Sequence, residues 1–126
     1  MSIPEGLQYS VEHEWLRLDG DIGTVGITQY AAEQVSDIVF VDLPPVGATL
    51  SLGKPFGAIE SVKAVSELFA PVSGTIIEVN TTLGDTPDAI SNDAYGAGWL
   101  VKVKLSAPGE AAGLMDAAGY TRHLGP

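Results

Sequence analysis

Glycine, proline, asparagine and aspartate divide the chain into short runs of strand-forming residues. The clearest run is 99–105, in which Trp99, Val101, Val103 and Leu105 alternate with two lysines. Successive side chains of a β-strand point to opposite faces, so this alternation predicts a strand with one buried face. Many short strands between turn residues are typical of sandwiches and barrels, and we predict an all-β-dominated flattened barrel or sandwich.

Two pairs of runs predict β-hairpins. The segments 16–18 and 23–27 flank a turn sequence of aspartate and glycine. The segments 56–61 and 64–69 flank Lys63, which is therefore predicted to lie near the tip of a hairpin.

A further strand is predicted over 37–42. Four apolar residues follow one another there without alternation, and a proline pair ends the run soon afterwards. A continuous apolar run is typical of a strand that is covered on both faces. We therefore expect 37–42 to be a central strand.

Helical patterns are confined to three segments. Thr28 is a suitable N-cap for a short helix over 29–34, and 86–91 can form a single turn. Near the C-terminus, apolar residues with helical spacing predict a helix over about 108–119 that packs on the sheet. Its apolar stripe consists of Ala111, Leu114, Met115 and Ala118.

Length and composition limit the classes of partner. A chain of 126 residues suits one domain, predicted over 1–126 with its core at about 7–105. The formal net charge of −10 disfavours phosphate backbones and anionic lipid, so we expect neither nucleic acid nor membrane as a partner. The chain has no cysteine, so any sulfur chemistry must come from an attached group. The N-terminus lacks the features of a secretory or transit peptide, and no apolar run is long enough to cross a bilayer.

The sequence contains no recognisable set of residues for independent catalysis or for a metal. His13 and His123 lie at opposite ends of the chain without a second histidine or a cysteine at ligand spacing, so we expect no metal site. The serines Ser61, Ser66 and Ser73 lack the Gly-x-Ser-x-Gly setting of many hydrolases. The glycines do not have the spacing of a phosphate-binding loop.

Lys63 is one of only six basic residues in the chain. An ordinary lysine is protonated at pH 7 and is a poor nucleophile, but it can be acylated. A cofactor joined there by an amide has a long flexible stem on a rigid base, as group carriers require. Glu60 and Glu67 bracket the lysine and could offer a recognition surface or hold a cationic group. These residues alone leave open both a solvated turn lysine and an attachment site.

Six segments together resemble the H protein family of the glycine cleavage system, in the family's order and at its spacing. The resemblance runs from about Leu7 to Tyr120. The segments are Glu12-His13-Glu14-Trp15, Val25-Gly26-Ile27-Thr28, Asp37-Ile38-Val39-Phe40-Val41-Asp42-Leu43-Pro44, Glu60-Ser61-Val62-Lys63-Ala64, Pro71-Val72-Ser73-Gly74 and Tyr95-Gly96-Ala97-Gly98-Trp99.

The resemblance implies a lipoyl/biotinyl-type flattened β-barrel, a hammerhead-like sandwich with short helices and a C-terminal helix. It also implies that lipoate is attached covalently to Lys63 and that the protein is a non-catalytic carrier. The carrier would take the aminomethyl group of glycine from a pyridoxal-phosphate decarboxylase (P protein) to a tetrahydrofolate-dependent aminomethyltransferase (T protein). It would present dihydrolipoamide to lipoamide dehydrogenase (L protein) for reoxidation. Lipoate-attaching enzymes are further expected partners, and we expect a monomer.

The resemblance assigns roles to residues around the lysine. Glu60, Gly47 and Gly74 match positions that the family uses in recognition by lipoate-attaching enzymes. The family also parks the loaded arm in a surface cleft, where polar side chains shield it from water. Glu14 matches a carboxylate of that cleft, and Glu67 stands where some relatives carry aspartate.

Glu12 departs from the family pattern, since it stands where some relatives carry a hydroxyl group. Val-Lys-Ala also differs from the Met-Lys-Met of biotin carriers and from the Asp-Lys-Ala of 2-oxoacid dehydrogenase lipoyl domains. A lipoyl or octanoyl relay in lipoate assembly and a non-lipoylated H-like binding protein remain as alternatives. We expect a cytoplasmic location in a bacterium, with the mitochondrial matrix as the alternative if a transit peptide has been removed.

Overall fold

Two antiparallel sheets form most of the structure. The computed structural model describes residues 3–35 and 37–125, so Ser36 and the ends of the predicted 1–126 domain lie outside it. The strands are β1 (Gln8–Tyr9), β2 (Glu14–Asp19), β3 (Ile22–Ile27), β4 (Ile38–Asp42), β5 (Thr49–Leu50), β6 (Pro55–Ser61), β7 (Val65–Phe69), β8 (Gly74–Val79) and β9 (Val101–Leu105). One sheet has the order β1-β2-β3-β9-β8-β5, and the other has the order β4-β6-β7. The predicted sheet-dominated flattened sandwich is confirmed, although the two sheets do not close into a barrel.

The alternating pattern of β9 is confirmed at the centre of the six-stranded sheet. Val101, Val103 and Leu105 are buried, and β9 pairs with both β3 and β8. Lys102 and Lys104 lie on the opposite face, where they form salt bridges with Glu78 at 3.6 Å and Asp21 at 3.3 Å. The two predicted hairpins are also present, as β2–β3 and β6–β7.

The prediction that 37–42 is a central strand is wrong. Among the residues that the structure describes, β4 pairs only with β6, and it lies at an edge of the three-stranded sheet with a register shift between Ile38 and Phe40. Ile38 is buried, but Val39 and Phe40 are 56% and 52% exposed. A run of apolar residues does not by itself establish burial on both faces, because folded proteins also expose many apolar side chains.

The first two helices lie close to their predicted positions. Helix α1 (Gln29–Val35) begins after Thr28, whose hydroxyl accepts a hydrogen bond from the N–H of Ala31 at 3.2 Å. Helix α2 (Ala89–Asn92) is a single turn, as expected for 86–91. No helix in the described parts of the chain is long and apolar enough to cross a membrane.

The helix predicted over 108–119 is wrong in its position. Pro108–Gly113 is a 3₁₀ helix, and the C-terminal helix α3 covers Ala117–Leu124. Asp116 sets this later start, because its carboxylate accepts a hydrogen bond from the N–H of Gly119 at 2.7 Å. Met115, expected in the apolar stripe of a helix, instead forms an antiparallel bridge with Tyr9.

Buried side chains form two clusters. The larger cluster draws on both sheets and includes Leu16, Val103, Ile59 and Leu68. The smaller one consists of Leu7, Tyr9, Trp15 and Tyr120, and it packs α3 against the beginning of the chain. The rings of Tyr9 and Tyr120 are stacked, with centroids 4.8 Å apart. The single-domain boundaries remain a prediction.

Candidate functional site

Lys63 lies in the connection between β6 and β7, on a turn that Ser61 organises. The Ser61 hydroxyl accepts hydrogen bonds from the N–H groups of Lys63 at 3.3 Å and Ala64 at 3.0 Å. The Ser61 N–H donates to the carbonyl of Ala64 at 2.8 Å. The side chains of Val62 and Lys63 are exposed, and Lys63 forms no salt bridge with any residue that the structure describes. The lysine amine therefore projects into solvent from a hydrogen-bonded base.

Glu60 lies close to the lysine in sequence and in the hairpin, whereas Gly74 begins β8 in the other sheet and Gly47 lies in the turn before β5. Glu60 is directly opposite Val65 in the hairpin that carries Lys63. Gly47 has a φ of 97°, a conformation that favours glycine, and its N–H donates to the carbonyl of Ile76 at 2.8 Å. A β-carbon on Gly74 would lie 2.2 Å from the carbonyl oxygen of Lys104, so packing alone requires glycine there.

A tight turn before β2 presents the other predicted site residues. The N–H of His13 donates to the carbonyl of Ser10 at 3.1 Å, and the N–H of Ser10 donates to the carbonyl of Glu14 at 2.9 Å. His13 has a φ of 72°, which is unusual for a residue with a β-carbon. This turn places Glu12, His13 and Glu14 together at the edge of a cavity.

The carboxylate of Glu14 is buried, and both of its oxygen atoms accept hydrogen bonds. Only 2% of the surface of Glu14 is exposed to solvent. Its Oε1 accepts a hydrogen bond from the Ser10 hydroxyl at 2.6 Å, and its Oε2 accepts one from the N–H of Phe69 at 3.3 Å. Burial raises the pKa of Glu14 from 4.5 to about 7, and these two hydrogen bonds partly oppose the rise. Near neutral pH this carboxyl can therefore both hold and release a proton.

The cavity next to Glu14 is called here the Glu14 cleft, and its volume is about 320 Å³. It lies between the turn before β2, helix α1 and the β6–β7 hairpin. Its polar lining consists of Glu12, His13, Glu14, Tyr30, Gln34, Ser66 and Glu67. The structure thus brings together all three carboxylates that the sequence pointed to, although Glu12 and Glu67 are exposed whereas Glu14 is buried. Ser66 and Glu67 belong to the same hairpin as Lys63.

Glu14 also lines a second cavity of about 240 Å³ on its other side, together with Tyr9, Ser10, Phe69 and Met115. Neither Ser10 nor Phe69 was predicted as a site residue. The Phe69 contact is made by a backbone N–H, which carries no signal in the sequence. Ser10 lies four residues before Glu14, but that spacing has no meaning until the turn is known.

Sequence separation was a poor guide for the histidines. His13 and His123, which lie at opposite ends of the chain, have ring centroids only 5.8 Å apart. Burial lowers the pKa of His13, and the neighbouring His123 lowers it further. Among the residues that the structure describes, no group of three histidine, aspartate or glutamate side chains is placed to hold a metal ion. His13 is instead a lining residue of the Glu14 cleft.

The raised pKa of Glu14 predicts a pH-dependent stability. Glu14 titrates near 4.5 when unfolded and near 7 when folded, so its contribution to stability is fully present below pH 4.5 and is lost as the pH rises through 7. The variant Glu14→Gln cannot ionise, and its amide can donate to the Ser10 oxygen and accept from Phe69. We expect the free energy of unfolding of this variant to exceed that of the protein with Glu14. The difference should grow between pH 5 and pH 8 to at most about 3 kcal/mol.

Urea unfolding at pH 5 and pH 8 measures this difference. The variant Glu67→Gln is the control, because it removes one exposed carboxylate from the same cleft. A gain of equal size in both variants would show that net charge, and not burial of Glu14, is the cause.

Comparison with known proteins places the chain in a family. The model of the glycine cleavage H-protein family matches residues 7–125. A glycine cleavage system H protein of Symbiobacterium thermophilum is 51% identical over 119 residues, covering 94% of this chain and 93% of that protein. One of Myxococcus xanthus is 51% identical over 123 residues, covering 98% and 95%. The crystal structure of a glycine cleavage system H protein from Mycobacterium marinum is 45% identical, covers 98% of this chain and 100% of that one, and superimposes with a TM-score of 0.90.

The fold, the position of the six matching segments and these relatives lead to one conclusion. The chain belongs to the glycine cleavage H-protein family.

Proposed function

We propose that this protein is the lipoyl-bearing carrier of a glycine cleavage system, with lipoate joined by an amide to Lys63. The observation that carries the proposal is the exposed amine of Lys63 on the tight turn that Ser61 organises, in a chain of this family. The protein takes the aminomethyl group of glycine from the decarboxylase to the aminomethyltransferase and then meets lipoamide dehydrogenase. In this role it is a substrate of its partners and not an enzyme.

The residues around Lys63 suit such an attachment. The amine is exposed and lies on a base fixed by one backbone hydrogen bond and by two that the Ser61 hydroxyl accepts, so a modifying enzyme can reach it without unfolding the hairpin. Amide formation removes the positive charge of Lys63 and leaves a long flexible stem. When bound, lipoate supplies the redox-active sulfur atoms that a chain without cysteine lacks.

The Glu14 cleft is the proposed resting place for the end of the arm. Ser66 and Glu67 line it and lie only three and four residues from Lys63 along the hairpin, a path of about 13 Å at the rise of an extended strand. Glu14 and Glu67 then face the amine of the cargo, and Glu12 adds a further carboxylate at the rim. Exclusion of water in the cleft protects the cargo between partners.

Glu60, Gly47 and Gly74 are proposed to serve recognition by lipoate-attaching enzymes. Glu60 supplies a partly exposed carboxylate on the hairpin itself. Gly47 and Gly74 act through the shape of the backbone beside β8, where both conformation and packing exclude larger residues. The acidic surface as a whole favours partners with basic clefts.

The mass of the intact protein tests the attachment directly. Protein made in a host that supplies lipoate and its ligase should exceed the mass of the chain by one lipoyl amide. The variant Lys63→Ala should lose this increment because the acceptor amine is gone, while Lys54→Ala, which removes another exposed lysine, should keep it. Persistence of the unmodified mass with ligase and lipoate present would refute the carrier proposal.

If the loaded arm rests in the Glu14 cleft, a substitution of Glu14 should speed the loss of the aminomethyl cargo. We expect Glu14→Ala to speed the release of ammonia and formaldehyde from the isolated aminomethylated protein, because water enters the cleft and the carboxyl no longer meets the amine. The control is Glu33→Ala, which removes an exposed carboxylate of α1 that does not line the cleft. An unchanged release rate in Glu14→Ala would count against the parking role.

A lipoyl or octanoyl relay in lipoate assembly requires the same modified lysine. Only the glycine cleavage carrier must work with the decarboxylase, whereas a relay need not. Exchange of carbon dioxide into glycine, which the decarboxylase catalyses, therefore separates the two roles. The lipoylated protein should support this exchange with the decarboxylase if it serves glycine cleavage, and it should fail to do so if it serves only as a relay.

A further inference from the structure

One phenol group joins three elements around the Glu14 cleft. The hydroxyl oxygen of Tyr120, on α3, lies 2.8 Å from Nδ1 of His13 and 2.7 Å from Oγ1 of Thr28. Thr28 precedes α1, and its hydroxyl also accepts a hydrogen bond from the N–H of Ala31. Tyr120 thereby connects the C-terminal helix, the turn before β2 and the beginning of α1.

The two segments that Tyr120 connects form two of the three walls of the cleft, and the β6–β7 hairpin forms the third. The turn supplies Glu12, His13 and Glu14, and α1 supplies Tyr30, whose ring centroid is 5.0 Å from that of His13. Tyr120 itself does not line the cleft. It can therefore affect the cleft only through the residues that it holds.

His13 needs such support because of its backbone. Its left-handed φ of 72° costs free energy in a residue with a β-carbon. The N–H of Thr28 donates to the carbonyl of His13 at 3.0 Å, so the turn and the start of α1 are also joined through the main chain. The conformation at His13 directs the next residue, Glu14, toward Ser10 and Phe69.

Loss of the phenol hydroxyl would leave two polar atoms without this partner. Thr28 is fully buried and His13 is partly buried, so solvent cannot readily replace the hydrogen bonds. The ring of Tyr120 has a different task, since it stacks on Tyr9 in the smaller buried cluster. Substitution of Tyr120 with phenylalanine removes the hydroxyl and keeps the ring, so the two roles can be tested separately.

We propose that Tyr120 is a positioning residue of the carrier, whose hydroxyl fixes the walls of the Glu14 cleft through His13 and Thr28. This proposal rests on the proposed function of the cleft as the resting place of the loaded arm. Without the hydroxyl, the turn before β2 moves relative to α1 and water reaches the cargo. In this proposal the C-terminal helix helps to shield the cargo from water, in addition to packing on the core.

The test uses full-length protein, lipoylated and then loaded with glycine and the decarboxylase. The release of ammonia from the isolated loaded protein is measured for Tyr120→Phe and for Tyr9→Phe. The second variant is the matched control, because the Tyr9 hydroxyl donates to the carbonyl of Pro4 and Tyr9 does not line the Glu14 cleft. We expect release to be about three- to tenfold faster in Tyr120→Phe, a factor that corresponds to the net free energy of about one hydrogen bond, and unchanged in Tyr9→Phe.

A double-mutant cycle separates positioning from a general loss of stability. If Tyr120 acts by placing the turn that carries Glu14, then Tyr120→Phe should add no acceleration in a Glu14→Ala background. Additive effects, or equal acceleration in Tyr9→Phe, would overturn the proposal. His13→Asn is the second variant, since asparagine tolerates the left-handed conformation, and it should accelerate release like Tyr120→Phe.

Failure of this proposal is distinguishable from failure of the proposed function. An unchanged rate in Tyr120→Phe together with faster release in Glu14→Ala refutes the positioning role and leaves the cleft role intact. An unchanged rate in both variants contradicts both. In either case lipoylation of Lys63 should proceed at the same rate in all variants, because Ser61 organises that turn independently.

Discussion

The hydrogen bond from the N–H of Phe69 to the buried carboxylate of Glu14 joins the two sheets beside the Glu14 cleft. Glu14 is the first residue of β2 in the six-stranded sheet, and Phe69 is the last residue of β7 in the three-stranded sheet. The contact therefore ties the hairpin that carries Lys63 to the turn that carries Glu12 and His13. Burying a carboxyl group costs free energy, which its two hydrogen bonds only partly offset, and the raised pKa records that imbalance.

A carrier needs rigid geometry more than it needs reactive side chains. Lys63 stands on a turn fixed by the Ser61 hydroxyl and backbone, and the cleft lies beside the same hairpin. In the proposed role the arm moves while both of its end points stay in place. Tethering also gives the cargo a high effective concentration at each partner surface. The fold thus separates the proposed site of attachment, which is exposed, from the proposed resting site, which is lined by one buried and two exposed carboxylates.

Sequence patterns predicted the parts that depend on local chemistry. The alternation in β9, the two hairpins and the cap at Thr28 follow from residue type and spacing, and the structure has all of them. The sequence patterns failed where contacts between distant segments determine the structure. The exposure of Phe40 depends on the edge position of β4 in its sheet, and Met115 lies outside the C-terminal helix, where it forms a bridge to Tyr9.

The candidate site shows the same division. Lys63 and Glu67 were singled out by residue type and position, and the family resemblance assigned the roles that are proposed for Lys63, Glu12, Glu14 and Glu67. The hydrogen bonds from Ser10 and from the main chain of Phe69 were not found, because they arise only when the turn and β7 meet. His13 and Tyr120 are 107 residues apart in the chain, and no pattern in the sequence links them.

We propose that the loaded arm rests against Glu14, and the titration of this one carboxyl group tests that position directly. The Cδ signal of ¹³C-labelled Glu14, assigned by its absence in Glu14→Gln, can be followed with pH in the lipoylated protein before and after loading. Before loading, the midpoint should lie at about 7. After loading, an amine in the cleft should stabilise the carboxylate and move the midpoint down by about one unit or more. Identical titrations in the two states would show that the loaded arm does not rest against Glu14.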